Sequence, residues 1–345
     1  MDVGILGATG MVGQQFIALL ANHAWFRIAW LGASQRSEGK AYSEATAWRL
    51  AAPLPPEVAR MQVDAATPGR APRLVFSGLD SSVAGDIEAA FARAGHVVVS
   101  NARNYRMDQD VPLLIPEING DHLALVDVQR AARGWSGCIV TNPNCAAVVL
   151  AMALAPLRPL GLKATIVTTL QAISGAGYPG VASWDILGNI IPFIGGGEEE
   201  KIETETRKIL GCLAGRRVEP HPVVISAQTT RVGVPNGHTV SASVGFGERP
   251  TEDAILHAWR SFKGRPQELG LPSAPPEPVV YLPEANRPQP ALDVDRGNGM
   301  VVSVGRLRPC PVLDYKFIAL GHNTIRGAAG AALLNAELMH REGML

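Results

Sequence analysis

A chain of 345 residues is long enough for two domains, or for one large domain with a lobe, built around a substantial core. Hydrophobic residues make up 47% and charged residues 18%, and 31 Lys and Arg offset 31 Asp and Glu. This is the balance of an ordinary globular protein, without the broad basic surface of a nucleic-acid binder or of a protein held on an anionic membrane. Basic residues that matter must therefore act locally, on a small anion. The most apolar stretch, residues 146–157, is too short to span a bilayer and reads as a buried core helix. The four cysteines, Cys138, Cys145, Cys212 and Cys310, form no C-x-x-C pair and are too few for a disulfide scaffold. Reduced thiols, and a first strand that begins almost at Met1, predict a cytoplasmic protein.

Val3-Gly4-Ile5-Leu6 reads as the first strand, running through Gly7, Gly10 and Gly13 into an amphipathic helix with Phe16, Leu19 and Leu20 on one side. Further strands are expected at 28–31, 74–76, 97–99 and 139–141, with a helix over 82–94. Strands alternating with helices predict an α/β fold with a Rossmann-type, doubly wound parallel sheet. Past Cys145 the character changes. The β-branched runs at 163–172, 223–228, 239–246 and 299–304 predict a second, α+β domain with an antiparallel or mixed sheet. The proline-rich stretch 271–290 reads as a surface connection with an edge strand. Residues 324–340 predict a helix whose small residues, Gly327, Ala328, Ala331 and Ala332, suit close packing against a sheet. The expected division is an NADP-binding domain over 1–144, completed by the C-terminal helix at 324–345, and a catalytic and dimerisation domain over 145–323.

A glycine-rich turn between a first strand and a first helix lets a pyrophosphate approach backbone N–H groups at the helix N-terminus. The spacing Gly7-x-x-Gly10-x-x-Gly13 departs from G-x-G-x-x-G, so its place in the fold, not its pattern, carries the reading. The second strand ends in Ala33-Ser34-Gln35-Arg36-Ser37, without the acid that accepts hydrogen bonds from the ribose of NAD. Arg36 can pair with a 2′-phosphate, and Ser34 and Ser37 can donate to it, which favours NADP.

Thr141-Asn142-Pro143-Asn144-Cys145 runs from a strand into a helix. Cys145 thus falls near a helix N-terminus, where the macrodipole and free amides predict a lowered thiol pKa. Asn142 or Asn144 is expected to cap that helix. The other three cysteines read as inert core residues. For the base a nucleophilic cysteine needs, Arg231 and His238 are expected to flank a turn at Pro235-Asn236-Gly237, a hairpin presenting both to one pocket. Residues 174–180 read as a loop able to border a ligand, and 198–201 as the acidic start of a helix.

The segments GATGMVGQ, SQRSEGK, SNARNYRMDQDVPLLIPEIN, TNPNC, QAISGAGYPGV, IPFIGGGEEEKIETET, TRVGVPNGHT, RPQP, GNGM and HNTIRGAAGA occur in order from Gly7 to Ala331. Together they resemble the aspartate-β-semialdehyde dehydrogenases, more closely the archaeal and fungal branch than the usual bacterial one. The resemblance implies NADPH-dependent reductive dephosphorylation of L-aspartyl 4-phosphate to L-aspartate 4-semialdehyde through a cysteine thioester, in aspartate-family amino-acid biosynthesis. It implies Cys145 as nucleophile, His238 as general acid/base and Gln171 as a positioning group. Arg231 would hold the substrate carboxylate and Glu198 its ammonium, while Lys201, Arg106 and Asn101 would form the phosphate site. For NADP it implies Thr9, Gly10, Met11 and Val12, then Ser34, Arg36 and Ser37, the Ser174-Gly175 loop, and Asn323. It also implies a homodimer or homotetramer. A malonyl-CoA reductase on the same scaffold is the rival, but such enzymes typically lack the Glu198–Lys201 pair that an amino acid and a phosphate require.

Overall fold

The computed structural model describes residues 1–345. Six strands open the chain: β1 Asp2–Leu6, β2 Arg27–Ala33, β3 Val63–Ala65, β4 Leu74–Ser77, β5 Val97–Ser100 and β6 Cys138–Thr141. They form one parallel sheet in the order β3-β2-β1-β4-β5-β6. Strands covered on both faces must be apolar throughout, and Val97, Val98 and Val99 are fully buried. The helix Ser81–Arg93 packs beside them, its start fixed by Asp80, whose carboxylate accepts the Ser82 N–H. Strand order reverses between β1 and β4, which is where a doubly wound sheet opens a crevice at its carboxyl edge. The register pairs Leu6 with Ser77, Ser77 with Ser100 and Ser100 with Thr141, so Gly7, Gly78, Asn101 and Asn142 emerge side by side on that edge.

Eight further strands follow: β7 Leu162–Gln171, β8 Cys212–Ala214, β9 Arg217–Glu219, β10 Val224–Arg231, β11 His238–Phe246, β12 Val279–Leu282, β13 Val302–Pro309 and β14 Tyr315–Gly321. β8 and β9 pair only with each other, and the other six form a mixed sheet in the order β10-β7-β11-β14-β13-β12. β12 is the edge strand expected of the proline-rich segment. β14 is a strand the sequence expectation lacks, although it turns Tyr315, Phe317 and Ala319 inward with strand period. The inner face of this sheet packs on the helix Cys145–Leu154, which is apolar all round and buried from Ala146 to Leu154. A Cβ at Gly321 would come within 2.8 Å of the Val149 side chain, so that glycine sets how closely helix and sheet approach. On the outer face Ile166, Leu170 and Val224 stay exposed.

The chain then returns to the first sheet. A π-helical turn, Ile325–Ala329, leads into the helix Gly330–Arg341, and Leu333, Leu334 and Leu338 share a core with Val3, Ile5 and Val99. The expected helix is therefore present but opens in a wider turn. Gly327 of that turn packs on Cys145 itself: a Cβ there would lie 2.6 Å from the cysteine Cβ. A buried bidentate pair, Arg326 to Glu117 at 2.7 and 2.8 Å, fixes the turn. Removing one partner of such a pair costs about 3–5 kcal/mol, because the other charge is left buried and alone.

Candidate active site

A cavity of about 980 Å³ opens where the carboxyl edge of the first sheet faces the end of the second. Cys145 sits in its wall as the first residue of its helix. Asn144 caps that helix, its side-chain oxygen accepting the N–H groups of Ala146 and Ala147 at 2.9 and 3.1 Å. Asn142, the other candidate cap, instead donates to the Asn101 side chain and the Ala328 carbonyl. His238 opens β11, and its Nδ1 accepts the Ala172 N–H at 3.1 Å. That contact aims the ring's Nε2 at the Cys145 sulfur, 3.1 Å away.

Arg231 ends β10 directly opposite Gln171 at the end of β7, and donates to the Ala172 carbonyl at 2.8 Å. A Cβ at Gly175 would stand 2.7 Å from Arg231 Nη1 and 2.9 Å from His238 Cε1, so only glycine lets the loop pass so close to both. Glu198 begins the helix Glu198–Ile209 after Gly197, whose φ of +71° suits glycine. Its carboxylate accepts from Asn144 Nδ2 at 2.8 Å and from Gln171 Nε2 at 3.3 Å, with Lys201 Nζ 3.4 Å from the other oxygen. A thiol, an imidazole, a guanidinium and a carboxylate are thus grouped together, with the imidazole at the sulfur and both charges acting on the thiol.

Two family descriptions match the chain: "Semialdehyde dehydrogenase, NAD binding domain" over residues 2–126 and "Semialdehyde dehydrogenase, dimerisation domain" over residues 154–326. Aspartate-semialdehyde dehydrogenase of Archaeoglobus fulgidus is 47% identical over 345 residues, covering 100% of this chain and 99% of that one. That of Schizosaccharomyces pombe is 47% identical over 355 residues, covering 99% of each. The chain belongs to the aspartate-semialdehyde dehydrogenase family. The structure of the Candida albicans family member with NADP superposes with a TM-score of 0.91 at 42% identity, covering 100% of this chain and 99% of that one. Aspartate semialdehyde dehydrogenase II of Vibrio cholerae, at 24% identity and a TM-score of 0.77, shares the fold.

Within this family member the thiol does not behave as its helix position predicts. Burial pushes the Cys145 thiol up to about 12 and Glu198 pushes the same way, against weaker pulls from Arg106 and Arg231. At the helix start the Ala146 N–H also lowers it, but this is the smallest of the causes, and that N–H is shared with the Asn144 side chain. Burial likewise takes the His238 imidazole down to about 3, and the charges of Arg231 and His322 add to the effect. A neutral thiol beside a neutral imidazole is the resting pair. With Nδ1 accepting an N–H, the neutral ring carries its proton on Nε2, facing sulfur. Nε2 takes the thiol proton once the ring proton moves to Nδ1, which requires the Ala172 N–H to release that nitrogen; the imidazolium so formed is the proton donor later.

The expected hairpin between Arg231 and His238 is absent. β7 lies between β10 and β11, parallel to the first and antiparallel to the second, so the 232–237 connection crosses the end of β7. The two side chains still meet, because all three strands end at the same level. Two of the other cysteines depart from the core reading: Cys138 is buried in β6, but Cys212 is exposed and Cys310 only half-buried.

The phosphate-site candidates split. Lys201, Arg106 and Asn101 all line the cavity, but Arg106 is committed to Glu205 at 3.1 Å and to the Asn101 carbonyl at 2.7 Å. The sequence reading lacks Arg103, which lines the same cavity and spans it to the Gly196 carbonyl at 3.1 Å. It also lacks Glu205, whose signal was its spacing of seven from Glu198 on one helix face.

The cofactor candidates frame the switch point. Gly7 has φ +74°, and a Cβ there would meet the Gly78 carbonyl at 2.8 Å, while one at Gly13 would lie 2.3 Å from the Gly7 carbonyl. The helix Met11–Leu20 begins after Gly10 with no side-chain cap, and Met11 and Val12 line the cavity. This uncapped, side-chain-free cradle fits a pyrophosphate. Thr9 lies in the turn between, its carbonyl accepting from Thr46. Ser34 and Arg36 are exposed and Ser37 is buried just beyond β2, outside the cavity proper but on the same sheet edge. At the other end Asn323 holds Ser174 Oγ at 2.8 Å and accepts the Gly237 N–H at 2.9 Å.

Proposed function

We propose that this chain catalyses the NADPH-dependent reductive dephosphorylation of L-aspartyl 4-phosphate to L-aspartate 4-semialdehyde, in aspartate-family amino-acid biosynthesis. The observation that carries the reading is the 3.1 Å contact between Cys145 Sγ and His238 Nε2, with Arg231 and Glu198 both acting on that thiol. A zwitterionic amino acid needs one partner of each sign: Arg231 takes the α-carboxylate and Glu198 the ammonium. A CoA thioester offers no ammonium for Glu198, which sets the acyl-CoA reductase alternative aside.

The Cys145 thiol gives its proton to His238 Nε2 as the sulfur attacks the acyl carbon, the carbon–oxygen bond to phosphate breaks, and the acyl group remains on sulfur as a thioester. Arg106, Lys201 and Asn101 receive the departing phosphate. When bound, NADPH supplies the reducing equivalent, as hydride, for the thioester. His238 returns a proton from Nε2 to sulfur as the semialdehyde leaves, and Gln171 positions the acyl oxygen. Gly7, Thr9, Gly10, Met11 and Val12 would hold the pyrophosphate, Ser34, Arg36 and Ser37 the 2′-phosphate, and Ser174, Gly175 and Asn323 the nicotinamide end.

The two largest apolar cores, one mainly within 145–323 and the other mainly within 1–144 and 324–345, support a division into a dinucleotide-binding domain, 1–144 with 324–345, and a catalytic and dimerisation domain, 145–323. The uncovered face of the second sheet, with Ile166 50%, Leu170 40% and Val224 68% exposed, suits a second copy of the chain, in a homodimer or a homotetramer built from it. Free thiols support work in the cytoplasm. The test is to supply aspartate semialdehyde and NADP with and without phosphate, and malonyl-CoA with NADPH in parallel. Phosphate-dependent NADPH formation with the semialdehyde supports the reading; turnover of malonyl-CoA alone refutes it.

A further inference from the structure

We infer that Glu205, a carboxylate with no part in the chemistry above, is a positioning residue that holds Arg106 and the turn before Cys145 in a single register. The inference rests on the reading that Arg106 meets the phosphate. Glu205 lies two helical turns beyond Glu198 on the helix Glu198–Ile209 and is only 2% exposed. One of its oxygens stands 3.1 Å from Arg106 Nη1, and the other accepts the backbone N–H of Asn144 at 2.6 Å. Asn144 is the cap of the nucleophile's helix, so one carboxylate ties the phosphate-end cation to the residue next to the sulfur.

The rest of the guanidinium shows what this arrangement leaves available. Arg106 Nη2 donates to the Asn101 carbonyl at 2.7 Å, while the buried Nε has no partner in the protein. The side chain is thus fixed at two nitrogens and keeps an unmatched N–H in a residue that lines the cavity. Lys208, three residues beyond Glu205, secures the backbone of the same loop. Its Nζ donates to the carbonyls of Arg106, Asp108 and Val111 at 2.7, 2.7 and 2.9 Å. A single helix therefore presents Glu198 and Lys201 to the substrate, and behind them uses Glu205 and Lys208 to clamp the loop of Arg106. Displacements of about 1 Å in such a frame are enough to cost on the order of a hundredfold in rate.

The test is a double-mutant cycle in the phosphate-consuming direction, with wild type, Glu205→Gln, Arg106→Met and the double variant. Glu205→Gln is expected to raise the KM for phosphate about tenfold or more, with the semialdehyde KM and the Kd for NADP within about twofold of wild type. In the Arg106→Met background the same substitution adds nothing further to the phosphate KM. Glu205→Asp, which keeps the charge but withdraws it by one methylene, gives the same selective rise and carries the cycle if Glu205→Gln does not fold. An equal rise with and without Arg106, or a parallel loss in all three constants, overturns the inference and leaves Glu205 merely structural. Wild-type turnover that ignores phosphate overturns the functional reading itself, and with it the premise of the inference.

Discussion

The Cys145 sulfur and the His238 Nε2 stand 3.1 Å apart, although one residue begins a helix leaving the first sheet and the other begins a strand of the second. Neither sheet alone holds a reactive pair. The contact depends on two parallel alignments: the level carboxyl ends of β4, β5 and β6, and the shared end of β7, β10 and β11. The Ala172 N–H then sets the ring, and Gly327 lets the C-terminal segment close behind the cysteine.

Glu198 has opposite effects on binding and on thiol reactivity. It is proposed to hold the substrate ammonium, yet its charge also helps keep the Cys145 thiol protonated. Glu198→Gln should raise the semialdehyde KM by about tenfold or more while accelerating alkylation of Cys145 by iodoacetamide at fixed pH. Steady-state kinetics and peptide mass spectrometry read the two effects separately. A variant in which both fall together contradicts this account.

His238 is buried without charge, which gives acid sensitivity a definite sign. On unfolding its imidazole returns to an ordinary value near 6.5, whereas in the fold it stays neutral down to about 3. The unfolded chain therefore binds the extra proton first, and stability falls as pH drops from about 6.5 towards 3. At pH 4 the loss from this group is on the order of 3 kcal/mol. Denaturation of wild type and His238→Asn between pH 7 and pH 4 should show the steeper decline in wild type; parallel slopes contradict the neutral imidazole.

Arg36 should decide between the two nicotinamide dinucleotides. A charge-assisted contact to a 2′-phosphate contributes about 1.5–3 kcal/mol, or roughly ten- to a hundredfold in affinity. Arg36→Ala is expected to weaken NADP by that factor and to leave NAD unchanged, as measured by fluorescence titration. Equal loss for both cofactors would place Arg36 elsewhere.

The exposed row on β7 should be an interface. Ile166→Glu would place a charge in each half of such a contact, and light scattering should report a smaller mass for the variant than for the unaltered chain. An unchanged mass would move the interface to another face.

Much of this was legible in the chain. The first sheet could be read because apolar runs such as Val97-Val98-Val99 alternate with helical stretches, and Cys145 because it follows a strand and begins a helix. Arg231 and His238 were legible as a pair but not as neighbours of β7, since a strand beginning at Leu162 intervenes between two segments that look locally like a hairpin. The raised thiol pKa was hidden for a different reason: burial and the Glu198 charge outweigh the Ala146 N–H at the helix start, and neither can be read from the residues around Cys145. Glu205 escaped notice because its spacing of seven from Glu198 puts both on one helix face but does not say that the loop of Arg106 will cover that face.

The most direct test is to trap the acyl group. The protein is mixed with aspartate semialdehyde and NADP in the absence of phosphate, quenched in acid and digested for mass spectrometry. The account predicts a stoichiometric aspartyl adduct on the peptide containing Cys145, formed with one equivalent of NADPH and released when phosphate is added before the quench. NADPH formed with Cys145 unmodified, or an adduct on Cys138, Cys212 or Cys310 instead, would contradict it.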